Sequence, residues 1–111
     1  MKHYKNFTIY KPEVNPFNND TIIFCKDENG NDWYNLVKTF QPDTVKLMYD
    51  KEGNISSITK DASGLFPNDL SVLEVEKVEE DFDQFKYRIV DGKIIVRVPN
   101  ENDIRNTRND M

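Results

Sequence analysis

The sequence predicts a mainly β fold, a small single domain of antiparallel strands and hairpins. Three observations support this prediction. Apolar and polar side chains alternate through residues 44–50 and again through 55–60, with turn residues between the two segments. Residues 85–90 and 93–98 show a second alternating pair, joined by a two-residue Asp-Gly turn typical of hairpins. The length of 111 residues is close to the commonest size of one domain.

The N-terminal part of the chain predicts two strands separated by a loop. Residues 5–10 alternate loosely and form the first predicted strand. Residues 11–20 are predicted to be a loop, because Pro12 and Pro16 each remove a backbone donor and asparagines follow them. Residues 21–25 have the apolar composition of a buried strand.

Residues 33–40 carry two conflicting signals. Trp33, Leu36, Val37 and Phe40 follow the i, i+3, i+4, i+7 spacing of one helical face. The same segment is rich in residue types that favour strands, and eight residues make a marginal helix. We predict a short strand or turn here.

The first hairpin places Val45, Leu47 and Tyr49 on one face and Lys46 on the other. An irregular loop, residues 61–68, is predicted to follow it, and residues 70–78 are predicted to form another strand.

The second hairpin has a register that can be counted outward from its turn. This count puts six apolar residues on one face and brings Lys86 opposite Arg97 on the other. The predicted apolar pairs are Ile89 with Ile94, Tyr87 with Val96, and Phe85 with Val98.

The amino-acid composition of the chain changes after Pro99. Asparagine and acidic residues there suit a helix N-terminus, and Ile104 to Arg108 could continue the helix. We therefore predict a β-rich domain at residues 1–99 and the start of a C-terminal helical segment at residues 100–111.

Charge and cysteine content exclude several kinds of partner. The chain has 20 acidic and 15 basic residues, a net charge of −5, and its basic residues are dispersed. Nucleic acids and anionic membranes attract basic surfaces, so we expect neither as a partner. A single cysteine, Cys25, forms no internal disulfide, and no apolar run approaches the roughly 18 residues of a membrane span. A reducing cytoplasm is the expected location.

The sequence contains no pattern typical of catalysis or of metal binding. The only histidine, His3, is far along the chain from Cys25, and no phosphate-binding glycine loop or zinc spacing is present. The acidic residues between Glu74 and Asp83 lack the glycine turn of a calcium loop, so we interpret them as a solvated face. We expect no enzymatic activity, no cofactor and no metal.

Two interpretations are open for the aromatic residues Trp33, Tyr34 and Phe40. They could form part of the core, or they could be a hot-spot cluster that contacts a partner, since Trp and Tyr dominate binding energy at interfaces. The loop that begins at Asp61 also carries two apolar residues. The residues predicted to bind a partner are Trp33, Tyr34, Phe40, Asp61, Ser63, Leu65 and Phe66.

A central block of about forty residues resembles the bacteriophage tail fibre assembly family. The matching motifs are Trp33-Tyr34, Phe40-Gln41-Pro42-Asp43-Thr44 with Lys46, Tyr49-Asp50, Ile58-Thr59 with Asp61-Ala62-Ser63, Leu65, Pro67, and Ser71-Val72 with Glu74-Val75. Their order and spacing agree with the family pattern. Family members usually continue for several tens of residues as helix, so the resemblance implies that this chain is either truncated or a short member.

The resemblance implies a non-enzymatic chaperone. Such a protein binds the C-terminal tip of a trimeric phage tail fibre in the bacterial host cytoplasm and assists its folding and trimerisation. Whether it remains on the finished fibre, and whether it forms a homo-oligomer, stay open. The family supplies no binding residues position by position, so the residues named above rest on their chemistry.

Two alternatives from other classes remain. An acidic immunity or antitoxin-like protein would neutralise a basic toxin through charge, and its binding would weaken strongly with salt. A sugar-binding accessory subunit of the fibre tip would stack Trp33 on a pyranose ring.

Overall fold

The computed structural model describes residues 1–10, 13–14, 16–18 and 21–97. The predicted helical start at residues 100–111 lies outside the described residues. The mainly β prediction is confirmed within them. The strands, in chain order, are β1 (His3–Tyr4), β2 (Thr8–Ile9), β3 (Glu13–Val14), β4 (Thr21–Ile22), β5 (Cys25–Lys26), β6 (Val45–Tyr49), β7 (Ile55–Thr59), β8 (Ser71–Val75), β9 (Tyr87–Val90) and β10 (Lys93–Val96).

A four-stranded sheet forms the centre of the fold, in the order β1-β8-β6-β7 with antiparallel neighbours. The predicted hairpin between β6 and β7 is confirmed. Its turn is held by the Asp50 side chain, which accepts hydrogen bonds from the backbone N–H groups of Glu52 and Asn54 at 2.9 Å each. The predicted strand at residues 70–78 is confirmed in part, because β8 ends at Val75.

The second predicted hairpin is confirmed in register but not in length. Ile89 pairs with Ile94 and Tyr87 with Val96, as the outward count requires. The prediction for Phe85 is wrong: it lies in a short 3₁₀ helix, Gln84–Lys86, and is highly exposed. The Asp83 carboxylate accepts the Phe85 N–H at 2.9 Å, which favours a turn over a strand. Its predicted partner, residue 98, lies outside the described residues.

A close backbone approach joins the two hairpins. Gly53 has a φ of +87°, and a Cβ atom there would lie 2.4 Å from the carbonyl oxygen of Ile89. The N–H of Ile89 donates to the carbonyl oxygen of Gly53 at 2.9 Å. A glycine is therefore required at this position.

The N-terminal strands differ from the prediction. Residues 5–10 do not form one strand, because Asn6 has a positive φ of 57° between β1 and β2. Strand β2 pairs with β5, and β3 pairs with β4, in two separate two-stranded sheets that we call the ribbon, so part of the predicted loop at residues 11–20 is strand. Cys25 is buried as predicted, whereas Ile23 is exposed.

Residues 33–39 are helical, so the prediction of a strand or turn for residues 33–40 is wrong, and Phe40 follows the helix with extended backbone. Trp33–Leu36 form a single-turn helix, α1, and Val37–Thr39 continue it as a 3₁₀ helix. The Asp32 carboxylate caps α1 by accepting the Tyr34 N–H at 2.8 Å. The helical spacing of Trp33 and Leu36 was the correct signal, because burial of these two side chains stabilises a helix too short to form alone.

Both faces of the central sheet are covered. Val45, Leu47 and Tyr49 pack on one face with Ile55, Leu73 and Ile89. The opposite face, which carries Met48 and Val72, packs against Phe7, Cys25, Trp33, Leu36 and Ala62. Every residue of β6 is consequently buried, including Lys46. The alternation pattern predicted the face of the strand on which Lys46 lies, but it did not predict that this face is covered.

Candidate partner-binding site

Trp33 lies beneath the predicted binding surface rather than on it. Its side chain is 2% exposed, and its ring contacts Phe7 edge-to-face with centroids 5.4 Å apart. Its indole N–H donates to the carbonyl oxygen of Leu65 at 2.9 Å. Trp33 therefore anchors the Leu65 loop to the core, and its buried ring is not placed to touch a partner.

A groove of about 260 Å³ brings together three of the predicted residues: Phe40, Asp61 and Ser63. One wall is the segment from Val37 to Pro42, and the other is the turn from Lys60 to Ser63. Phe40 is partly buried against the core cluster. The groove thus combines an aromatic wall with a polar rim.

Asp61 and Ser63 are ordered by each other. The Asp61 carboxylate accepts from the Ser63 hydroxyl at 2.6 Å and from the Ser63 N–H at 3.0 Å, which caps the 3₁₀ helix Ala62–Gly64. Both hydrogen bonds hold the pKa of the Asp61 carboxyl below its ordinary value, and the bond from the Ser63 hydroxyl has the larger effect. Asp61 is therefore an exposed, ionised acceptor at neutral pH.

Lys46 forms the floor of the groove, and the sequence did not reveal this role. Its buried ammonium donates to the carbonyl oxygens of Thr44 at 3.0 Å and Lys60 at 2.6 Å, and also to that of Gln41. It lies 6.0 Å from the centroid of the Phe40 ring. Because Gln41 and Lys60 belong to opposite walls, Lys46 holds the two walls together.

Glu74 supports the same segment from the neighbouring strand. Its carboxylate accepts from the N–H groups of Lys2 at 3.0 Å and Gln41 at 2.8 Å, and from the Thr44 hydroxyl. Burial raises the pKa of this carboxyl, but the Thr44 hydrogen bond and then the two backbone bonds lower it more, so the pKa lies below its ordinary value.

This arrangement predicts that acid destabilises the protein through Glu74. Its depressed pKa contributes stability above the unfolded-state value of 4.5, and that stability is lost as the pH falls through the folded-state value. We expect the free energy of unfolding to decrease as the pH falls from about 5 to about 3. Urea denaturation across this range should show a shallower decrease for Glu74→Gln. Equal pH slopes for the two proteins would assign the acid sensitivity to other carboxyls.

The remaining predicted residues lie outside the groove lining. Leu65 is half-buried and packs against the core, whereas Phe66 beside it is exposed. Tyr34 is exposed on α1, where its ring meets Phe24 edge-to-face at 5.5 Å and its hydroxyl donates to the carbonyl oxygen of Ile23 at 3.4 Å. Tyr34 therefore belongs to the ribbon side of the fold.

A separate polar cleft of about 560 Å³ lies beside β1 and both hairpin turns. His3 and Tyr49 hydrogen-bond to each other in it, and Lys5, Arg88 and Asp91 contribute charges of both signs. Burial lowers the pKa of His3, and the positive charge of Lys5 lowers it further by a smaller amount. None of the predicted binding residues lines this cleft.

Among the described residues, no three His, Cys, Asp or Glu side chains are grouped as a metal ion would need. No helix among these residues is long and apolar enough to cross a bilayer.

The similar curated proteins described below are all named as tail fibre assembly proteins. A probable tail fiber assembly protein of Escherichia phage P2 is 36% identical over 105 residues, which cover 88% of this chain and 60% of the relative. Tail fiber assembly protein U of Escherichia phage Mu is 34% identical with the same coverage. Tail fiber assembly protein U' of Escherichia phage P1 is 31% identical over 115 residues, covering 95% of this chain and 63% of the relative.

The chain spans about three fifths of the length of the curated relatives that it matches. No protein-family model matches it. The similarity nevertheless extends over most of the chain and includes the block from Trp33 to Val75 that carries the family motifs. Over the length that aligns, this chain is therefore a homologue of the tail fibre assembly proteins of phages P2, Mu and P1.

Proposed function

We propose that this protein assists the assembly of a phage tail fibre. In this proposal it binds the C-terminal tip of the fibre polypeptide and promotes its folding and trimerisation. The observation that carries the proposal is the similarity, over 88–95% of this chain, to proteins named for tail fibre assembly. Their activity is transferred here as a proposal because the chain spans only part of their length.

The physical reason for such a chaperone lies in the fibre. Chains that intertwine expose unpaired strand edges and apolar surface until the trimer closes, and such surfaces aggregate. A small folded domain that covers them lowers the concentration of aggregation-prone species. Exposed aromatic side chains on this protein, Tyr34 and Phe66, are suited to that contact.

The groove is the proposed contact for a fibre side chain. Phe40 offers an aromatic surface, while Asp61 and Ser63 offer polar groups at the rim. Leu65 and Phe66 extend this surface along the adjoining loop. Trp33 and Lys46 act from beneath, by holding the loop and the groove walls in place.

A role without catalysis is part of the proposal. Burial, and to a smaller extent the negative charge of Asp32, raise the pKa of the Cys25 thiol to about 11. The thiol is therefore protonated at neutral pH and buried, which is the opposite of a reactive nucleophile. We place the protein in the host cytoplasm, where the fibre polypeptide is synthesised; whether it stays on the finished fibre is a separate question.

Co-expression tests the proposal directly. The C-terminal segment of the tail fibre polypeptide from the same phage is produced with and without this protein, and soluble trimer is measured by gel filtration with light scattering. We expect soluble trimer to depend on this protein. Equal yields of soluble trimer in both cases, with no co-elution, would refute the assembly role.

A substitution in the groove rim tests the contact surface. Ser63→Arg adds bulk to an exposed position, so we expect the dissociation constant for the fibre segment to rise about tenfold or more, with little change in folding. The matched control is Ser56→Arg, at an exposed position on β7 that does not line the groove. Equal affinities for the two variants would remove the groove from the interface.

A further inference from the structure

The ribbon formed by β2 and β5 has a defined direction of backbone hydrogen bonding. Ile9 is paired with Cys25, and the N–H of the next residue, Tyr10, donates to the carbonyl oxygen of Phe24 at 3.0 Å. Hydrogen-bonded and non-hydrogen-bonded pairs alternate along antiparallel strands. The N–H and C=O groups of Ile9 therefore point away from β5, toward the outer edge of β2.

The same outer edge is paired two residues earlier. The N–H of Phe7 donates to the carbonyl oxygen of Leu70 at 3.0 Å, and its carbonyl oxygen accepts from the N–H of Asp69 at 2.8 Å. The chain then turns at Asp69, which has a φ of 61°, and the N–H of Leu70 closes the turn onto the carbonyl oxygen of Pro67 at 2.8 Å. In the described ranges, β5 is the strand that pairs with β2, and the outer edge is open from Ile9.

Apolar side chains accompany this open edge. Ile9 and Tyr10, the last residue of β2 and the residue after it, are 44% and 42% exposed. The ring of Phe24, on the segment paired with β2, lies 6.2 Å from the Tyr10 centroid. An occupant of this edge would bury apolar surface as well as pair backbone groups.

We propose that the outer edge of β2 at Ile9 binds an extended segment of the fibre polypeptide by strand addition. This inference rests on the proposed function and adds that the partner is recognised as an extended strand. An open strand edge is satisfied by another extended backbone, and the neighbouring rings favour apolar side chains on it. In this proposal, a fibre subunit that has not yet formed its trimer supplies the extended, apolar segment. The added strand would continue the pairing that Asp69 and Leu70 begin.

Two substitutions at Ile9 separate the backbone contribution from the side chain. Ile9→Pro removes the outward N–H, and it leaves the bonds between β2 and β5 intact because this N–H takes no part in them. Ile9→Ala also removes the branched isoleucine side chain, and more of its bulk than proline does, but it keeps the N–H. We expect both variants to fold, and we expect Ile9→Pro to bind the C-terminal fibre segment about tenfold more weakly than Ile9→Ala. Equal affinities of two folded variants would overturn the proposal.

Hydrogen exchange decides the question in the unmodified protein, even if Ile9→Pro fails to fold. In the free chain the Ile9 amide should exchange faster than the Tyr10 amide, which is bonded to Phe24. Addition of the fibre segment should slow exchange at Ile9 about tenfold or more. A complex that forms without this protection overturns strand addition but leaves the assembly role standing. Failure to form any complex refutes the assembly role.

A second copy of this chain is the competing occupant. In that case Ile9 would become protected in the isolated protein as its concentration rises, and light scattering would show a dimer. That result would overturn the assignment of the edge to the fibre.

Discussion

Trp33→Ala is expected to lower the free energy of unfolding by about 3–5 kcal/mol. The side chain is almost completely buried, and its ring contacts both Phe7 and Phe40, the latter with centroids 6.0 Å apart. The substitution also removes the indole N–H that binds the Leu65 carbonyl, which frees the loop above it. Urea denaturation followed by circular dichroism measures the effect.

Tyr34→Ala provides the matched control on the same helix. Tyr34 is exposed, so its removal should change the free energy of unfolding by about 1 kcal/mol or less. If instead Trp33→Ala leaves stability near that of the native protein and abolishes fibre binding, Trp33 is a contact residue, and its assignment to the core is wrong.

Lys46→Met is expected to destabilise the protein by about 3 kcal/mol or more. The substitution keeps an unbranched apolar side chain but leaves three carbonyl oxygens without the ammonium that binds them. Each buried acceptor that loses its partner costs about 1–3 kcal/mol. Since two of these carbonyls lie on opposite walls of the groove, hydrogen exchange in residues 41–44 and 60–63 should also become faster.

Lys38→Met is the control for this experiment. Lys38 also lines the groove, but its side chain is exposed, so its substitution should change stability by about 0.5 kcal/mol or less. Equal destabilisation by the two substitutions would show that Lys46 contributes only through its alkyl chain.

The two hairpins could be predicted from the sequence because their signals are local. A two-residue Asp-Gly turn sets the register of its own strands, and the structure pairs Ile89 with Ile94 as the turn requires. The turn after Asp50 likewise depends on side-chain acceptors within four residues. Such features are independent of the rest of the fold.

The candidate site was predicted only in part. Phe40, Asp61 and Ser63 were recognised by residue type and do lie together in the groove. Lys46 was missed because a lysine in an alternating strand is usually solvent-exposed, and only the packing of a second layer made its face interior. The open edge of β2 was also missed, because the turn of the chain at Asp69, sixty residues away, leaves that edge without a paired strand among the described residues.

The sequence by itself determined the β character, the two hairpins, the register of the second hairpin and the resemblance to tail fibre assembly proteins. Only the tertiary structure decided that residues 33–39 are helical, that both faces of the central sheet are buried, and which aromatic side chains remain at the surface. The reason is physical. Local hydrogen bonds and alternation act over a few residues, whereas burial depends on contacts such as that of Trp33 with Leu65, which join positions 32 residues apart.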